Sequence, residues 1–223
     1  MFLDNVSAEN KMSEQKNIYV IITIHTDLER IYSKMEIENE LTITNRQDLR
    51  NWLEIHSSTE NFCWVVINKT ETSEVVQYLD IVEEALCFGW IDGIKKKISE
   101  TESAQRLSPR RKRSSWTELN KERVRRLKKL SLMTEDGLKV LPDMRPESFI
   151  IDQEIETRLK EDDQVYQNFL SFPELYRRIR IDNIQSYKSD QDLFNRRLTK
   201  FIENTRANKL YGQWNDNSRL LNY

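Results

Sequence analysis

Apolar residues recur at helical spacing near the start and throughout the end of the chain, and in strand-like runs only between these two regions. Leu49, Trp52 and Leu53 stand at i, i+3 and i+4. This puts them on one face of a helix predicted over 46–55. Asn45 is its expected N-cap, and Leu41-Thr42-Ile43 leads into it. The run Phe62-Cys63-Trp64-Val65-Val66-Ile67-Asn68 is aromatic and β-branched without alternation, which predicts a buried strand. A turn is expected over 70–73, and 75–79 is open to either state. Residues 80–87 predict a helix with acidic residues near its positive end, stopping before a C-cap at Gly89. Residues 91–99 and 103–108 predict two strands or a loose hairpin. A helix is predicted over 117–132 with Leu119, Val124, Leu127 and Leu130 as its apolar stripe, and Lys121, Arg125, Lys128 and Lys129 mainly elsewhere. Gly137 is expected to end a further short turn.

Pro142 and Pro146 mark 141–151 as a linker. Every later pattern is helical. Ile155 and Leu159 share one helix, and Val165, Phe169 and Leu170 share a second. Ser171-Phe172-Pro173-Glu174 reads as a helix start with Pro173 at the first helical position, followed by Tyr176, Ile179 and Ile184. Asp190 is the expected cap of a last helix carrying Leu193, Phe194, Leu198, Phe201 and Ile202, a clean amphipathic face. The fold class is therefore α+β: a small, mostly antiparallel sheet packed with helices over 41–148, then an all-helical region over 149–223. Residues 1–40 read as an N-terminal extension. They hold one β-like burst and no pattern that fits a core, and Met35 is the expected natural start.

Composition narrows the class. With 4 glycines and 4 prolines in 223 residues, the chain is neither collagen-like nor Gly/Pro-rich and disordered. The formal net charge of −2 conceals blocks. Residues 1–94 carry 7 basic and 17 acidic side chains, residues 95–129 carry 14 and 4, and residues 130–223 carry 14 and 16. The basic middle block is either a solvated face, a partner for the acidic block, or a polyanion site. Cys63 and Cys87 lack zinc spacing and read as reduced, buried residues. His25 and His56 sit in no metal-binding pattern, so neither a metal nor a cofactor is expected. No apolar run approaches the length of a membrane span, and no export signal is evident. The expected location is cytoplasmic, without membrane insertion.

Two groups of residues could carry chemistry. Arg106, Arg110, Arg111 and Arg113, with Ser114, Ser115 and Trp116, combine guanidinium forks, hydroxyls and an aromatic plane, the parts of a phosphate or nucleic-acid site. The helix after Trp116 would offer N–H groups to an anion, although Glu118 and Glu122 already use that dipole. Glu84 and Asp92 are carboxylates in an apolar stretch with Trp90. A carboxylate buried beside aromatics can serve as a general acid. Equally, Asp92 could cap a turn or pair with an arginine of 110–113, and both tryptophans could be core. No set of catalytic residues follows from these patterns.

The stretch Glu83-Glu84-Ala85-Leu86-Cys87-Phe88-Gly89-Trp90-Ile91-Asp92-Gly93, followed by Pro109-Arg110-Arg111-Lys112-Arg113-Ser114-Ser115-Trp116 and Asn120-Lys121-Glu122-Arg123-Val124, resembles the YdeI/OmpD-associated, or bacteriocin-protection, family. Tyr78 through Gly93 match its pattern almost without gaps. Lys112 stands where the family has proline, Thr117 where it has serine, and Ser131 where it has glycine. Phe169-Leu170-Ser171-Phe172-Pro173 and Tyr176-Arg177-Arg178 continue the likeness. Asn183 departs from it, taking the place of a tryptophan, and a later Ala-Lys…Glu-Thr-Arg segment is reduced to Lys188 and Arg196-Arg197. The resemblance covers about 41–210. It implies a YjbR/CyaY-like antiparallel sheet with helices packed on it, and a role in tolerance to bacteriocins, antimicrobial peptides or envelope stress. It implies no catalytic set. The expected partner is an anionic small molecule or an acidic protein surface. An enzyme built on Glu84 and Asp92, or a nucleic-acid-binding protein, are the alternatives.

Overall fold

The computed structural model describes residues 37–68 and 76–223. Of the expected extension over 1–40, residues 1–36 with the start at Met35 lie outside the described residues, as does the turn over 70–73, whereas Ile37 is buried in a core cluster and Glu40 pairs with Trp64 in the sheet. The chain divides into two compact units, 1–81 with 91–109, and 82–90 with 110–223.

The first unit is built on a four-stranded sheet ordered β1-β2-β4-β3, with β1 at Glu40–Leu41, β2 at Cys63–Asn68, β3 at Trp90–Lys97 and β4 at Glu102–Pro109. β1 runs parallel to β2, and β2 runs antiparallel to β4 from Cys63↔Leu107 to Asn68↔Glu102. β3 and β4 close as a tight hairpin, with Ile98 and Ser99 N–H groups donating to the Glu102 carbonyl at 3.0 and 3.1 Å. The sheet is thus mostly antiparallel, as the pattern predicts. β2 does not alternate because both of its faces are covered. Trp64 and Val66 join Ile37, Ile98 and Ala104 in one cluster, while Cys63 and Val65, which point the other way, are fully buried. Helix α1 (Arg46–His56) begins at the expected N-cap, Asn45, which forms a capping box: Asn45 accepts from the Asp48 N–H, and Asp48 accepts from the Asn45 N–H. Leu49 and Leu53 are completely buried.

The second unit is helical. It takes the greater part of α2 (Tyr78–Cys87), then α3 (Glu118–Lys129), α4 (Glu135–Lys139), a 3-10 turn at Pro146–Ser148, α5 (Gln153–Lys160), α6 (Asp163–Ser171), α7 (Glu174–Gln185) and α8 (Gln191–Arg206). Thr117, Thr134, Asp152, Asp162 and Asp190 each cap a helix through the side chain. One core joins Ile155, Leu159, Val165, Phe169, Tyr176, Phe194, Leu198 and Phe201.

Three sequence expectations change here. Pro173 is the N-cap of α7 rather than its first helical residue. Gly137 lies inside α4 rather than at the end of a turn. The predicted stripe of α3 is only half right: Val124 and Leu127 are buried, but Leu130 is 46 % exposed, and Glu118, Asn120, Glu122 and Arg123 share the buried face.

Candidate functional site

Close backbone approach sets the frame of the site. Gly89, at φ +74°, terminates α2, a conformation that costs glycine nothing. The Cys87 carbonyl left open by the helix end accepts from the Thr134 N–H at 3.0 Å and its hydroxyl at 2.7 Å, and the Gly89 carbonyl accepts from the Arg110 N–H at 2.9 Å. A Cβ on Gly137 would sit 2.1 Å from the Cys87 oxygen, and one on Gly89 would sit 3.1 Å from a Val140 methyl. The Cys-Phe-Gly stretch of the central motif therefore works as packing. It brings the end of α2 against α4 and fixes where the segments after Gly89 and before Val140 lie.

From this frame the basic loop projects. Residues 111–114 form a turn closed by the Ser114 N–H on the Arg111 carbonyl at 3.1 Å, with Arg113 in the left-handed region at φ +63°. Such a conformation costs a non-glycine residue about 1–2 kcal/mol. Arg110 is 8 % exposed. Its guanidinium carbon lies 3.6 Å from the centre of the Trp116 ring, and Nη1 donates to the Ser114 hydroxyl and the Ser115 carbonyl, both at 3.1 Å. Arg110 is thus an internal strut that binds the loop to the indole. Arg111, Lys112 and Arg113 are exposed, and their side chains form no hydrogen bond or ion pair with any described residue.

Beside this loop lies a cleft of about 390 Å³. Its polar lining is Arg111, Lys112, Arg113, Ser114 and Lys139, and its apolar lining is Trp116, Val140, Leu141 and Pro142. Among the described residues, no carboxylate lines it. Lys139 is paired outside it with Asp136 at 2.7 Å.

The first turn of α3 is not open to an anion. Its Glu118 N–H donates to Asp182 at 3.0 Å and its Asn120 N–H to Thr117 at 3.2 Å. Four cations of α3 have carboxylate partners. Lys121 pairs with Glu118 at 2.8 Å, Arg125 with Glu122 at 2.5 Å and Arg126 with the fully buried Glu83 at 2.8 Å. Arg123 grips both oxygens of Asp216 at 2.6 and 2.9 Å. Arg178 on α7 reaches Glu122 at 2.8 Å and Glu174 at 2.6 Å. The Tyr223 hydroxyl donates to Glu122 at 2.6 Å, and burial together with that carboxylate pushes its phenol well above the ordinary tyrosine range.

The other candidates sit elsewhere. Arg106 on β4 covers the Phe62 ring at 4.5 Å. Asp92 on β3 accepts from the Tyr78 hydroxyl at 2.6 Å. Glu84 and Trp90 are each 1 % exposed. None of these four lines the cleft, whereas Arg111, Arg113, Ser114 and Trp116 do. Sequence reasoning missed Lys112, Lys139 and the wall at 140–142. The one available signal was Gly137, whose missing side chain draws that wall in. Among the described residues, no group of His, Cys, Asp and Glu could hold a metal ion, and no helix is long and apolar enough to cross a membrane.

These features define an α+β protein whose helical unit carries a basic, aromatic cleft. Residues 148–208, in the helical region, match the family model of Bacteriocin-protection, YdeI or OmpD-Associated proteins. Residues 41–140, including the central motif, match a separate Domain of unknown function (DUF8412). No curated protein and no solved structure matches the chain.

Proposed function

We propose that this protein is a binding module that takes an anionic ligand in the cleft beside Trp116. The observation that carries this reading is the Arg111-Lys112-Arg113 run, three adjacent cations without a described partner on the rim of a cleft with no acidic lining. Guanidinium forks suit planar, bidentate oxyanions. Open like charges that repel one another are relieved when an anion arrives. Arg110 has a different task, holding the loop and the indole in place. The family description of residues 148–208, Bacteriocin-protection, supports a setting in tolerance to bacteriocins.

Calorimetric titration with inorganic tripolyphosphate tests the site. The parent should bind, and the double variant R111E/R113E should bind at least tenfold more weakly with its thermal unfolding unchanged. Equal binding by both would remove the cleft from consideration.

A further inference from the structure

A bare anion would use only part of this cleft. Three of its lining residues, Val140, Leu141 and Pro142, offer no hydrogen-bonding side chain, and the indole of Trp116 adds a flat apolar surface. A phosphate held by the arginines would leave all of that surface wet. The space, about 390 Å³, is also far more than one phosphate fills and lies within the range of small-molecule sites. The ligand that covers the whole lining is a flat ring joined to a multiply charged group.

The indole is prepared for such a ring. Arg110 stacks 3.6 Å from its centre and is itself tied to Ser114 and Ser115, so the plane is fixed before any ligand arrives. A ring stacking on it then pays little ordering entropy, and stacking on a tryptophan is indifferent to which base is offered.

We infer that the cleft binds a nucleoside polyphosphate, with the phosphates on Arg111, Lys112 and Arg113 and the base against Trp116 and the Val140–Pro142 wall. This rests on the anion-binding reading above and names its ligand class. Among the described lining residues, the neutral hydrogen-bonding groups are only the Ser114 hydroxyl and the Trp116 indole N–H, so the site discriminates weakly among bases.

The test varies the ligand on the intact parent protein, so folding does not confound it. Calorimetry compares ATP, UTP, tripolyphosphate and adenosine. ATP and UTP should bind within a few-fold of each other, at least tenfold tighter than tripolyphosphate, and adenosine should bind weakest. W116A, which also frees Arg110 from the indole, should weaken ATP at least tenfold more than it weakens tripolyphosphate, and an equal loss for both ligands would overturn the place given to the base. Tripolyphosphate binding as tightly as ATP would overturn the nucleotide inference and leave the anion site standing. If neither bound, both would fall. Adenosine matching ATP would remove the phosphate role. A single-stranded oligonucleotide that binds tighter than ATP, and tighter still with length, would replace the mononucleotide with a polymer and overturn the inference too.

Discussion

Helix α3 and the loop that precedes it are equally basic, and they spend that charge in opposite ways. On α3, Lys121, Arg123, Arg125 and Arg126 each face a carboxylate at 2.5 to 2.8 Å. In the loop, Arg110 is absorbed by Trp116, and Arg111, Lys112 and Arg113 meet no carboxylate among the described residues. The helix shows that a high count of arginines can be entirely structural. Its buried side must carry charge because Glu118 and Glu122 lie under α7, and a buried carboxylate without a cation is prohibitive. The loop is the reverse: its three exposed cations have no partner among the described residues, and they line the cleft in which the anion is proposed to sit.

The contrast is broken most directly by stability. R123A would leave Asp216, itself 4 % exposed, as a buried charge that has lost its bidentate partner. Removing one member of a buried pair costs about 3–5 kcal/mol. K112A, on the open turn, should stay within about 0.5 kcal/mol of the parent. Urea unfolding of both variants measures the gap. Comparable losses would mean that the loop is as structural as the helix, and the ligand reading would lose its basis.

Arg113 sharpens the comparison with a smaller effect and two readouts. Its left-handed backbone, at φ +63°, costs about 1–2 kcal/mol, while glycine would return roughly 0.5–1 kcal/mol of that as unfolded-state entropy. R113G should therefore be as stable as the parent or up to about 1.5 kcal/mol more so, while binding tripolyphosphate more weakly. Strained backbone is often found at ligand sites, and the two readouts together test whether that holds at Arg113. If R113G binds as tightly as the parent, the strain at 113 has nothing to do with the ligand.

Local features were legible in the sequence. The cap at Asn45, the stop at Gly89, the cap at Asp190 and the strand at 63–68 each follow from a few neighbouring residues. The likeness drew the reading to the basic loop, but the stretch that holds it, 41–140, matches a separate Domain of unknown function, and the bacteriocin-protection model matches 148–208. What the sequence could not show was which arginine does what, since Arg110 and Arg111 are adjacent and identical and differ only in what the fold brings to each. The partners that turn α3 into a charged seam stand far off in the chain: Arg178 is 56 residues from Glu122, Asp216 is 93 from Arg123, and Tyr223 is 101 from Glu122. An apolar-stripe template has no place for a buried Glu118, so it promoted Leu130 instead. The far wall of the cleft was hidden for a related reason. Val140–Pro142 looks like the start of a linker until Gly137 is seen against the Cys87 carbonyl.

The smallest effect concerns the junction between the two regions, where Asp182 accepts from the Glu118 N–H at the start of α3. Burial, chiefly, and the Glu118 carboxylate raise its pKa above the ordinary aspartate value, against the lowering effects of the Glu118 N–H and Lys121. A carboxyl with a raised folded-state pKa holds its proton better folded than unfolded. Its contribution to stability is therefore present in acid, below about 3.9, and lost as pH rises through the raised folded value. Most carboxylates in salt bridges behave the other way. D182N keeps an oxygen for the Glu118 N–H and discards the charge, so its stability relative to the parent should improve as pH rises from about 4 to 7. Urea midpoints of the two proteins across that range read the sign, and a difference independent of pH would show that Asp182 bears no desolvation cost. Tripolyphosphate affinity at pH 7 should be the same in both, because the N–H that Asp182 accepts from belongs to the closed helix and the anion belongs to Arg111, Lys112 and Arg113. A gain in affinity for D182N would move the anion onto the start of α3 and erase the division between paired helix and open loop.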